Sequence, residues 1–124
     1  MKIAISSIGQ DNLSSELSPI FGRCPFFIIA DIENNEIKDS KRIENNAVMQ
    51  AGGAGIMAAQ TVANEKVNVV ISNAVGPRAF DILKQLNIDV YKAQGTTVKE
   101  AIDLFIQGKL SKINAPGMMG IGKS

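Results

Sequence analysis

Val67-Asn68-Val69-Val70-Ile71-Ser72-Asn73-Ala74-Val75-Gly76-Pro77-Arg78-Ala79-Phe80 is the stretch on which the fold turns. Residues 67–72 are short, apolar and rich in β-branched side chains, the composition of a buried strand. The next four carry turn chemistry, and Pro77 suits a first helical position, where a missing N–H has no helical partner to lose. Ala79, Ile82, Leu83 and Leu86 then recur at i, i+3, i+4 and i+7, which makes one helical face apolar. Residues 88–92 (Ile-Asp-Val-Tyr-Lys) are another short strand. A strand, a helix and a strand in this span form a right-handed crossover within a parallel sheet.

Working toward the C-terminus, Thr97 and Glu100 stand at capping-box spacing. Val98, Ala101, Ile102, Phe105 and Ile106 follow as an apolar stripe, and Gly108 stops the helix. Residues 111–124 show no periodicity and contain Pro116, so they are expected to form a flexible tail. Toward the N-terminus, Ile56, Ala59 and Ala63 share a helical face behind the Gly52-Gly53-Ala54-Gly55 run. Residues 2–6 and 25–31 are strand-like, Asn34-Asn35 supplies a turn, and residues 36–43 make a half-exposed hairpin partner. The expected fold is α/β: one domain over residues 1–110 with a mixed five-stranded sheet. An initial hairpin is followed by alternating helix and strand, with helices on the faces of the sheet. Its parallel strands are 2–6, 67–72 and 88–92.

Composition narrows the function. The chain has 124 residues, 45% hydrophobic and 20% charged, which is ordinary for one globular domain with a real core. A net charge of +1 provides no field to hold a phosphate backbone, so nucleic acid is not an expected partner. No apolar run reaches the ~18 residues that span a bilayer, and a cytoplasmic location without membrane contact is expected. There is no histidine, which removes the His-dependent triads and dyads and HExxH zinc chemistry. The lone cysteine, Cys24, forms neither an internal disulfide nor a CxxC pair. Carboxylates are scattered, without the convergence that two-metal hydrolysis needs. No enzymatic activity is expected.

Three loops carry the chemistry that remains. The segments at 72–76 and 93–96 each follow a parallel strand and feed a helix, and residues 7–23 leave the first strand at the same edge. Ligands of open α/β sheets bind there. Backbone N–H groups near Gly53, Gly55, Asn73, Gly76, Gly95 and Thr96 would suit an anion. Gly53-x-Gly55-x-x-Ala58 mimics a dinucleotide fingerprint but follows an Asn-rich loop in place of a strand, and no acid waits near residues 73–78. No Gly-Lys-Ser/Thr follows the glycines, so a Walker A loop is absent too. Cys24 has two readings. Beside Arg23 it is a thiolate and soft-metal ligand; packed inside, it is a small buried hydrophobe.

The ordered set of segments resembles the dinitrogenase iron–molybdenum cofactor-binding domains. It runs from Ser18-Pro19-Ile20-Phe21-Gly22-Arg23-Cys24-Pro25-Phe26-Phe27 through Gly53-Ala54-Gly55-Ile56 and the 69–80 stretch. It ends with Leu86-Asn87-Ile88-Asp89-Val90-Tyr91, Gly95-Thr96-Thr97-Val98-Lys99-Glu100-Ala101-Ile102 and Gly108-Lys109-Leu110. The resemblance implies a ribonuclease-H-like three-layer fold. It implies that an anionic metal–sulfur cluster, iron–sulfur or iron–molybdenum–sulfur, is bound or carried, with a cluster donor or acceptor protein as partner. For such a cargo Cys24 is the one thiolate this chain offers as a metal ligand, and Arg23 is a nearby counter-charge. The alternative is a regulatory module that binds a small molecule or phosphate, with no metal, in the same N–H cradle.

Overall fold

The computed structural model describes residues 1–9, 12–49 and 52–114. Among the described residues six strands form one mixed sheet in the order β3-β2-β1-β4-β5-β6. They are β1 (Lys2–Ser7), β2 (Phe26–Glu33), β3 (Glu36–Glu44), β4 (Val69–Ser72), β5 (Asp89–Lys92) and β6 (Ser111–Lys112). The helices are α1 (Ala54–Asn64), α2 (Pro77–Gln85) and α3 (Val98–Ile106). β1, β4 and β5 run parallel, with Ile5 beside Ile71 and Ile71 beside Tyr91, as the crossover pattern predicts. β2 is antiparallel to β1 and β3 to β2. Asn34 and Asn35 close that hairpin at φ 54° and 63°, the left-handed pair of a tight hairpin turn that asparagine tolerates.

Alternation along the central strands sorts the interior into two layers. Ala4, Phe27, Ile29, Val70 and Val90 face a core closed by Ala58, Ala59 and Val62 of α1 and Leu83 of α2. Ile3, Ile5, Ile28 and Ile71 face the other way, under Val98, Ala101 and Ile102 of α3. All four side chains of β4 are buried, which is why its sequence reads as continuously apolar before Ser72. Each such large aliphatic side chain contributes roughly 1.5–3 kcal/mol by leaving water.

Two expectations are corrected. The sheet has six strands, not five, because Ser111–Lys112 pairs antiparallel with Tyr91 and Lys92. The expected tail is therefore structured at its start: Ile113 is 7% exposed and its N–H donates to the Val90 carbonyl at 2.8 Å. Residues 115–124, with Pro116, lie outside the described residues. Among the described residues no helix is long and apolar enough to cross a membrane.

Candidate functional site

The parallel strands end together at Ser7, Ser72 and Lys92, and residues 12–25 cross that edge before β2 begins. Backbone bonds stitch the crossing segment down. The Leu17 N–H donates to Thr96 O at 3.1 Å, Phe21 N–H to Ala74 O at 3.0 Å, and Val98 N–H to Ser15 O at 2.8 Å. Beneath it, the buried Ser6 hydroxyl stands 2.8 Å from Ser72 Oγ and 3.3 Å from Ser18 O, within reach of donating to either. Tied down in this way, the crossing segment faces the loops that enter α2 and α3.

One cleft, of about 330 Å³, lies between the first turns of α1 and α2 and is lined by Gly53, Gly55, Ile56, Gly76, Pro77 and Arg78 among others. The N-caps of both helices are glycines, Gly53 and Gly76, and neither first turn holds an acidic residue. The first N–H groups of a helix have no partner within it, and here no hydroxyl or carboxylate of the cap replaces one. Gly53 sits at φ 73°, a left-handed conformation strained for other residues, and a Cβ there or at Gly76 would point into open space. Arg78 is exposed at the opening turn of α2. A cation in that position opposes its own helix dipole, and an anion in the cleft reverses the sign.

The adjoining α3 terminus is different. Thr97 accepts from the Glu100 N–H at 3.2 Å, and Glu100 Oε1 accepts from the Thr97 N–H at 2.9 Å, the capping box its sequence predicts. Thr96 Oγ1 also donates to Glu100 Oε1, at 2.6 Å. The Thr96 hydroxyl and then the Thr97 groups hold the Glu100 carboxyl below its ordinary value. Gly95 and Thr96 thus line a cleft of about 290 Å³ that also carries Glu16 and Glu100, an arrangement hostile to anions. Asn73 and Gly95 line a third hollow of about 490 Å³ with Ser18, Pro19 and Gln94. The expected single cradle is therefore divided. Gly53, Gly55 and Gly76 come together, Asn73 and Gly95 meet beside them, and Thr96 is engaged by a carboxylate.

Cys24 lies inside the fold, away from the cleft, as the second of its two readings has it. It is 0% exposed within the α1–α2 core, and its thiol donates to Phe21 O at 3.3 Å. Burial pushes the thiol up to about 12, which favours the neutral form over the thiolate. Arg23 is itself exposed, in the turn before β2. It follows Gly22, which packs on Gly55 at the edge of the first cleft. Among the described residues no three Cys, Asp or Glu side chains gather to hold a metal. The sequence reading omitted Arg78, whose place beside Pro77 already set it in an opening helical turn. It also omitted Ser18, Gln94 and Asn45, whose positions only the tertiary structure supplies.

Comparison with known proteins agrees with this architecture. The family described as dinitrogenase iron-molybdenum cofactor matches residues 1–108. The Methanocaldococcus jannaschii protein MJ0580 is 45% identical over 112 residues, 90% of this chain and 95% of its own. The apo form of the orange protein of Desulfovibrio gigas superposes with a TM-score of 0.87 at 30% identity, over 94% of this chain and 95% of that one. A NifB candidate from Thermotoga, TM1290, gives a TM-score of 0.77 at 38% identity over 90% of this chain and 91% of its own. With the match spanning all three parallel strands and the cleft between α1 and α2, the chain belongs to the dinitrogenase iron-molybdenum cofactor family.

Proposed function

We propose that this protein binds an anionic metal–sulfur cluster, of the iron–molybdenum or iron–sulfur kind, between the N-termini of α1 and α2, and carries it to an acceptor without catalytic turnover. The observation that carries this reading is the pairing of two glycine-capped helix N-termini with Arg78 across one cleft. Family membership supports the class of cargo. The donor set fits such a cluster by charge and N–H contacts. With no histidine in the chain and Cys24 inside the core, the cluster keeps its own ligands and is held from outside. Backbone N–H groups toward bridging sulfides, with a guanidinium as counter-charge, suit an anion that must later be released.

The test is an anaerobic titration with extracted iron–molybdenum cofactor and, separately, a synthetic iron–sulfur cluster, read by visible absorption and by metal content after desalting. Stoichiometric retention is expected, and Arg78→Ala weakens it about tenfold, the order expected from losing one charge-assisted contact. A protein that retains neither cluster, or an Arg78→Ala variant that binds as well as wild type, refutes the reading.

A further inference from the structure

We propose that Asn45 is a positioning residue for this cleft: by fixing the turn at residues 22–25 it sets where the first turn of α1 stands against that of α2. The inference rests on the cofactor reading for its function, but its structural basis is separate. Asn45 is 1% exposed at the end of β3, where the chain departs toward α1. Its Nδ2 donates to Cys24 O at 2.8 Å and to Gly22 O at 3.3 Å. Its own orientation is locked, since Oδ1 accepts from the Ala47 N–H at 3.1 Å and its backbone N–H donates to Pro25 O at 3.0 Å. One side chain thus binds the 22–25 turn, which has no helix or strand of its own, to the segment leading into α1.

The turn passes that position on through contact. A Cβ on Gly22 would lie 3.2 Å from both the Cα and the N of Gly55, so the two backbones touch with no side chain between them. On its far side Gly55 faces Ala79, where a Cβ would meet the Ala79 Cβ at 3.3 Å. Gly22, Gly55 and Ala79 therefore form a close-packed series that runs from the clamped turn, through the first turn of α1, to the first turn of α2. Gly55 and Ala79 are themselves walls of the cleft. A turn released by loss of Asn45 moves one wall relative to the other, and aligned N–H donors lose effect steeply with small misplacement.

The experiment has two readouts. Isotope-labelled wild type and Asn45→Ala are first compared without cofactor by amide NMR. The Gly53 and Gly55 resonances are expected to move, while those of Asn35 and Lys112, at opposite margins of the sheet, stay. Both proteins are then titrated with extracted iron–molybdenum cofactor, and Asn45→Ala is expected to bind at least fivefold more weakly. Ile28→Val, which loosens the core on the α3 side, serves as the destabilised control and leaves both readouts unchanged. Unmoved α1 glycines overturn the inference whatever the cleft binds, and so does unaltered affinity in a wild type that does bind. A wild type that binds nothing defeats the cofactor reading, while the cofactor-free spectra still decide whether Asn45 sets the wall. Should Asn45→Ala fail to fold, Gly22→Ala tests the same coupling at the contact, with the same outcomes deciding.

Discussion

Cys24 illustrates how adjacency in sequence misleads at the scale of one residue. Arg23 beside a cysteine reads as an activated thiol, yet the two side chains part, one to water and one to the core. Whether a lone cysteine faces in or out depends on what the other layers place around it, and no local pattern encodes that. Two consequences are measurable. A thiol-directed alkylating reagent leaves folded protein unmodified at pH 8 and labels it after denaturation; rapid labelling of the native protein would contradict the buried assignment. The thiol also makes stability depend on pH. Its folded value is raised to about 12 from an ordinary 9, so its contribution is intact below pH 9 and is lost as pH climbs toward 12. In that window the unfolded chain has shed the proton and the folded one has kept it. Against a Cys24→Ala reference, wild type therefore loses up to about 1 kcal/mol of stability per pH unit, which denaturant unfolding at pH 8, 9.5 and 10.5 resolves. Parallel curves for the two proteins would remove the effect. The reference itself starts about 1–2 kcal/mol less stable, because the truncation leaves a small void in a packed core.

At the scale of elements, the three helices divide by how they begin. The opening of α3 was legible because a capping box is a local device: Thr97 and Glu100 satisfy each other across three residues and need nothing else. α2 was legible for a similar reason, with Pro77 at its start and an apolar stripe behind it. What local sequence does not encode is that α1 and α2 begin side by side while α3 begins apart from them with its own acid. That contrast makes a paired prediction. Thr97→Ala removes the hydroxyl that accepts from the Glu100 N–H and costs about 1 kcal/mol in denaturant unfolding, while cluster affinity stays within twofold. Arg78→Ala does the reverse, weakening affinity with little change in stability, since an exposed cation at a helix start contributes nothing to holding it. A Thr97→Ala protein that loses the cluster would move the binding surface to the α3 side of the edge. Asn45 shows the same limit from another direction. In sequence it is one of two adjacent asparagines, Asn45-Asn46, and only the return of residues 22–25 distinguishes the buried clamp from its exposed neighbour.

For the whole molecule, the question is where the folded unit ends. The apolar stripes and turn residues of 1–110 carry the sheet order and both layers of core, but they stop one strand short. β6 is two exposed polar residues whose pairing with β5 is made entirely by backbone, and backbone pairing leaves no mark on composition. Its effect is to place the next residue: Ile113 reaches into the α1–α2 core beside Val90, its N–H bonded to the Val90 carbonyl. Without β6, β5 becomes the sheet edge and the floor under Phe80 and Ile88 opens to water. A chain ending at residue 114 keeps β6 and Ile113 and serves as the reference. A chain ending at residue 110 should be less stable by about 2–4 kcal/mol, a burden on the order of one buried isoleucine truncated to alanine. Ile113→Ala in the full chain separates that side chain from the strand and reproduces most of the loss by itself. Equal stability of the 110- and 114-residue chains would show that the sheet closes without its sixth strand. The α1–α2 cleft takes none of its walls from β5 or β6, so the 110- and 114-residue chains, where both fold, should hold the cluster with equal affinity, and stability and binding should move independently between them.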